Sequence, residues 1–303
     1  VNSAKTYRTY VFSYTNPYFT QDGVSQGFDL YQRTVNTTTT AIAAYSSSSY
    51  GGGLRFGFPI GEKESIGLGL GVDSTTITTY TNSPQYYVDY VKNFGETNLS
   101  IPLTLSWASD GKDSYFFPTK GTFQKASLEV ALPGGDLTYY RASYQLQHFI
   151  PLTSRFTLML NGEVGYAEGY GDSGLPFFKN FYAGGIGSVR GYKASSLGPL
   201  STDSSTGTVY RLGGNSRVIG NAELLWGIPG MEKSFRMGWF FDAGQVYGND
   251  AAQSLSSGLR YSTGLSASWI SPIGPLKFSF GRPLNKQEND KSESFQFQMG
   301  TTF

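Results

Sequence analysis

Phe235-Arg236-Met237-Gly238-Trp239-Phe240-Phe241-Asp242 is the stretch that decides the fold of this chain. Phe235, Met237, Trp239 and Phe241 alternate with Arg236, Gly238, Phe240 and Asp242, and a period of two is that of a β-strand. Downstream, Thr263, Leu265, Ala267 and Trp269 alternate with Ser262, Gly264, Ser266 and Ser268. Leu276, Phe278 and Phe280 alternate with Lys277, Ser279 and Gly281, and the chain ends on Phe295, Phe297, Met299 and Phe303 against Gln296, Gln298 and Gly300. Upstream, Ala222, Leu224 and Trp226 alternate with Asn221, Glu223 and Leu225. Leu158, Leu160, Val164 and Tyr166 alternate with Thr157, Asn161, Glu163 and Gly165. Leu99, Ile101, Leu103, Leu105 and Trp107 continue the pattern, as do Ile66, Leu68, Leu70 and Val72 between glycines.

These segments run about 9–14 residues, and a tilted membrane-crossing strand needs about 9–11. Aromatics stand near their ends (Trp107, Tyr166, Trp226, Trp269, Phe303), as in an interfacial girdle. The opposite face is Gly, Ser, Thr and Gln with scattered charges of both signs: Arg141, Glu163, Glu223, Arg236, Asp242, Arg260 and Lys277. That suits a crowded lumen; on a soluble sandwich Lys and Glu would dominate. Charged residues make 15% of the 303, against about 25% in ordinary soluble chains. Mean hydropathy is −0.27, and no apolar run approaches the roughly 18 residues of a transmembrane helix. The expected fold is all-β, an antiparallel transmembrane β-barrel.

Composition excludes several functions. Lys+Arg number 23 and Asp+Glu 22, so nucleic acid is not an expected partner. Without Cys there is no disulfide, thiolate metal site or cysteine nucleophile. The single His, His148, falls in register with Tyr144, Leu146 and Ile150, as a lipid-facing side chain rather than a catalytic base. No catalytic residue, cofactor or metal is expected. Gly67-x-Gly69-x-Gly71 opens no helix, so it is not a nucleotide fingerprint; its glycines are expected to make room for an inserted loop. Asp110-Gly111-Lys112-Asp113 and Asn289-Asp290-Lys291 have the composition of solvated turns.

About 13 strands are expected, starting near Thr6, Val24, Ser49, Ser65, Asn98, Thr122, Tyr139, Arg155, Val218, Ser234, Gly258, Pro275 and Ser294. Short turns (61–64, 151–154, 229–232, 271–274) alternate with long loops, notably 75–96 and 169–217. Short turns would be periplasmic and long loops extracellular. Bacterial single-chain barrels normally have even strand numbers, so an odd count predicts further strands ahead of Val1. The polar start without Met likewise predicts a mature or truncated segment.

The 169–217 loop carries Phe181-Tyr182-Ala183-Gly184-Gly185, then Val189-Arg190-Gly191-Tyr192, then Ser196-Leu197-Gly198-Pro199. This run resembles loop six of the BamA family of outer-membrane assembly factors. Asn16-Pro17-Tyr18-Phe19 with Asp22-Gly23-Val24-Ser25, Phe117-Pro118-Thr119-Lys120-Gly121, and Ser271-Pro272-Ile273-Gly274-Pro275-Leu276 resemble other motifs of that family, over about residues 7–303. The resemblance implies one barrel domain over 1–303, of the outer-membrane assembly/two-partner secretion superfamily. The family barrel has 16 strands; its first three and its periplasmic POTRA repeats would lie outside this chain. Loop 169–217 would fold into the lumen, with Arg190 pairing to Glu223 and Asp242. Phe295, Phe297 and Phe303 would form a C-terminal assembly signal, with Gly300 a kink beside a lateral gate between first and last strands. The implied function is a non-enzymatic insertase in the bacterial outer membrane, needing no cofactor. Its partners would be unfolded outer-membrane β-barrel clients, accessory outer-membrane lipoproteins and the lipid bilayer. The alternatives are a passive porin or channel and a two-partner secretion-type polypeptide transporter.

Overall fold

Wherever the sequence alternates, the backbone forms strands, because only that geometry sends successive side chains to opposite faces. The computed structural model describes residues 2–3, 7–36, 45–171, 174–202, 209–248 and 258–300. The first strands are β1 (Asn2–Ser3), β2 (Tyr7–Asn16), β3 (Ser25–Asn36), β4 (Ser46–Pro59) and β5 (Glu64–Thr78). A helix, α1 (Gln85–Phe94), leads to β6 (Thr97–Ser100), β7 (Pro102–Asp110), β8 (Gly121–Ala131), β9 (Tyr139–Pro151) and β10 (Phe156–Gly169). Three short pieces follow: β11 (Gly191–Tyr192), β12 (Leu200–Thr202) and β13 (Val209–Arg211). The last are β14 (Ser216–Gly227), β15 (Phe235–Tyr247), β16 (Arg260–Ser271), β17 (Gly274–Pro283), β18 (Ser292–Glu293) and β19 (Phe295–Met299).

Fifteen of these form one antiparallel sheet in chain order, β10 pairing directly with β14. The described residues between them therefore form an excursion from the sheet. Among the described residues no pairing joins β19 to β1 or β2. The long strands begin within three residues of the expected positions. The strand expected from Asn98 is split into β6 and β7 in one continuous register, Ser100 opposite Asp73 and Leu103 opposite Leu70. The split falls at Ile101, just ahead of Pro102, which opens β7 and has no N–H to give to the ladder.

The polarity of the sheet is inverted relative to a soluble protein. Trp239, Leu265 and Phe280 are 57%, 54% and 61% exposed on the outer face. Glu223, Asp242, Ser262, Ser279 and Gln296 are buried on the inner one. An apolar outside and polar inside is the arrangement a bilayer favours, since strands in lipid must pair their backbone groups laterally and offer only apolar side chains. Residues of β8, β9, β10, β14, β17 and β19 line one cavity, so the sheet curls around a shared interior. No helix among the described residues is long and apolar enough to cross a membrane. His148 is on the outer face, its Nδ1 2.7 Å from the Thr122 hydroxyl.

Two expectations need correction here. The stretch 75–96 is not a plain loop: β5 runs on to Thr78, and α1 follows. Tyr87, Tyr90, Val91 and Phe94 lie at i, i+3, i+4 and i+7, one face of a helix, and pack with Tyr45, Ile77, Phe177 and Leu212. Tyr87 stacks on Phe177 with ring centroids 3.8 Å apart. That helical period spans only ten residues, in a chain dominated by period two. The second concerns Gly67, Gly69 and Gly71. A Cβ there would meet Ser106, Thr104 and β4 backbone together with Pro102, not the inserted loop. The glycines that admit the loop are Gly165 against Phe181, Gly244 against Val189 and Gly281 against Gly191.

Candidate functional site

The excursion between β10 and β14 comes back across the inner face and seats Val189-Arg190-Gly191-Tyr192 on the sheet. Its entry is held by Phe181, which sits between two guanidiniums: Arg141 Cζ is 4.1 Å and Arg217 Cζ 5.3 Å from the ring centroid. Arg217 also pairs with Glu163 and donates to the Tyr182 carbonyl at 3.1 Å. Val189 packs among Ala183, Tyr192, Leu197, Ile219 and Val246. Gly191 has φ +84°, a left-handed backbone that favours glycine, and its Cα faces the backbone of Gly281 on β17. Two side-chain-free positions opposite each other let the loop backbone approach the wall closely enough for Arg190 to reach it.

Arg190 engages two carboxylates on neighbouring strands. Its Nε and Nη2 donate to the two oxygens of Asp242 at 2.8 and 2.7 Å. Its Nη1 donates to Glu223 Oε2 at 2.7 Å. Its backbone N–H adds a fourth bond, to Asp242 Oδ2 at 3.0 Å. The guanidinium lies over Phe240, Cζ 3.6 Å from the ring centroid. Ser266 on β16 donates its hydroxyl to Glu223 Oε1. All three charged side chains are at most 3% exposed. A planar fork matching carboxylates is what distinguishes Arg from Lys at such a site. Burial alone would pull the Arg190 pKa down; the bonds and charges of Asp242 and Glu223 outweigh it, and the group is held above its ordinary value.

Tyr192 extends the seat to the last strand. Its carbonyl accepts from Gln296 Nε2 at 2.7 Å, and β11 pairs with β18. Phe295 and Phe297 are not part of this cluster; they point outward from β19, each 49% exposed. Gly300 follows β19 with φ +76°, and its N–H donates to the Pro275 carbonyl at 2.9 Å. Phe303 lies outside the described residues.

Three elements escaped the sequence. Asp290, expected in a solvated turn, is 5% exposed. It is gripped by Arg260 Nε at 2.6 Å and Arg211 Nη2 at 3.1 Å, a second ion cluster that ties the long-loop side together. No spacing rule connects positions 211, 260 and 290. Phe240 was visible as an aromatic on an otherwise polar face, and its use as a platform for Arg190 explains the exception. Arg236 donates to the carbonyls of Pro118 and Phe117 at 2.8 and 2.9 Å, so an inward strand charge holds the turn before β8. In Asp290→Asn the Arg260 and Gln287 bonds to Oδ2 can persist, while the pair with Arg211 is lost. The expected cost is about 1.5–3 kcal/mol, on the scale of one hydrogen bond to a charged group, read as a shift in the chemical unfolding midpoint.

Comparison with known proteins gives a consistent set. The family model described as the Omp85 superfamily domain matches residues 1–303. The outer membrane protein assembly factor BamA of Neisseria meningitidis serogroup B is 38% identical over 96% of this chain and 41% of its own length. The chain thus spans about two fifths of that relative. The crystal structure of BamA from Haemophilus ducreyi lacking POTRA domains 1–3 superimposes with a TM-score of 0.89 at 29% identity, over 98% of this chain and 62% of that one. CdiB from Acinetobacter baumannii shares the fold at a TM-score of 0.59 and 14% identity, over 95% of this chain and 48% of that one.

Proposed function

The chain belongs to the Omp85 superfamily, and from that premise we propose that it is the barrel of a bacterial outer-membrane assembly factor. It acts on unfolded β-barrel client proteins, together with accessory outer-membrane lipoproteins, and eases their folding and insertion into the bilayer. It performs no covalent chemistry. The observation that carries the proposal is the seat of Arg190 between Asp242 and Glu223, which anchors the loop inside the barrel. A passive porin needs an open pathway with a charged constriction; an anchored loop across the inner face works against one. A secretion-type transporter is supported only at the level of fold, whereas the assembly factor is supported by 38% identity along nearly the whole chain.

In this proposal the last strand is the working edge. β19 pairs with β17 over five residues and stops where Gly300 turns left-handed. A short, glycine-ended edge pairs weakly and can template an incoming strand.

The test uses the full-length protein with its accessory partners in liposomes, and follows folding of a small β-barrel client. Wild type is expected to accelerate folding, and Arg190→Ala to lose most of the acceleration. No acceleration by wild type, with a large steady conductance instead, would transfer the chain to the channel class.

A further inference from the structure

Beneath the seated loop lies a cavity of about 440 Å³, closed on one side by Ile186–Ser188 and reaching Lys112 and Tyr115 at the short-turn end of the sheet. Its volume falls in the range of ordinary ligand sites, about 300–1,000 Å³. Both carboxylates on its wall are already engaged: Asp110 with Lys112 at 3.7 Å, and Glu223 with Arg190 at 2.7 Å. Three of its carboxamides are also used, Gln145 donating to Asn161, Asn161 to Asn221, and Asn221 to the Ser188 carbonyl.

Four groups make no direct polar contact among the described residues, Lys277 lying in the field of Glu223 and Asp242. Lys125 on β8 and Lys277 on β17 line the cavity, and neither makes an ion pair within 4.0 Å or a hydrogen bond among the described residues. Gln147 on β9 and Gln298 on β19 line it too, with their carboxamides free of hydrogen bonds among the described residues. Two ammonium groups facing one cavity, Lys277 half-buried and Lys125 exposed, give its wall a positive side that suits an anion. Two free carboxamides each offer a donor and an acceptor, the complement of a peptide unit. Inorganic phosphate would leave the carboxamide oxygens without a use, so the wall fits a peptide better than a phosphate.

We propose that this cavity binds a short acidic peptide segment, its carboxylates pairing with Lys125 and Lys277 and its backbone amides bonding Gln147 and Gln298. Lys277 and Gln298 are directly opposite in the β17–β19 ladder, so an occupant touches the last strand and the loop tip together. The site stands apart from the assembly proposal, because its test reads binding alone.

The probe is fluorescein-labelled tetraglutamate, added to the full-length protein in detergent and followed by fluorescence anisotropy. Tetraglutamate is expected to bind. Lys125→Gln and Lys277→Gln are each expected to weaken it roughly tenfold, the scale of one charge-assisted bond, while Lys277→Arg retains it. Equal affinity for tetraglutamine overturns the proposal, and so does unchanged affinity in the Gln variants. Displacement of the probe by inorganic phosphate as effectively as by unlabelled tetraglutamate overturns the peptide and leaves a phosphate site. Should Lys277→Gln fail to fold, Lys125→Gln decides, since that side chain is exposed in the lumen.

Discussion

Arg190→Ala is expected to lower unfolding free energy by about 3–5 kcal/mol, the cost of stripping the partner from buried charges. The substitution removes the three guanidinium bonds to Asp242 and Glu223 and leaves both carboxylates at most 3% exposed. It also empties the face of Phe240. Chemical denaturation in detergent checks the magnitude, and limited proteolysis near Lys179 and Lys193 checks the release of the loop. A second variant separates the cause. The cost arises from unpaired charge rather than from the pair's own net worth. Adding Glu223→Gln and Asp242→Asn to Arg190→Ala is therefore expected to recover much of the loss. If the triple variant is less stable than Arg190→Ala, the electrostatic account of the seat fails. Arg190→Lys is expected to fall between, because a point charge cannot fork across two carboxylates.

Gly281→Val is expected to unseat the loop without touching a charge. A Cβ at 281 would stand 2.7 Å from the Gly191 nitrogen and 2.9 Å from its Cα. These are backbone atoms, so no rotamer change relieves the clash. Overpacking of this kind costs about 1–3 kcal/mol, and here it pushes Arg190, the adjacent residue, off Asp242 and Glu223. The expected phenotype is the same proteolytic exposure predicted for Arg190→Ala, with a lowered unfolding midpoint. Gly220→Ala on β14 is the control, since a Cβ there meets nothing within 4 Å; it should be near neutral. Equal behaviour of the two glycine variants would show that strand glycine in general, not close approach, governs the effect.

The sequence carried the strands because alternation is a local property. Phe235 to Asp242 declares its two faces within eight residues, and nothing distant has to be known. The inward position of Glu223 and Asp242 was legible in the same way, and the family resemblance named Arg190 as their partner. What tertiary structure alone decided is what lies opposite each inward face. Arg190 meets Asp242 across 52 residues and Glu223 across 33, and Arg211 meets Asp290 across 79. No periodicity encodes such separations; they follow from sheet curvature and from where the loop backbone comes to rest. The same cause explains Asp290, polar enough to read as a turn yet buried between two arginines. It explains the glycines as well. Gly69 and Gly281 look alike in sequence, and only the folded chain shows that one faces a neighbouring threonine and the other the loop backbone.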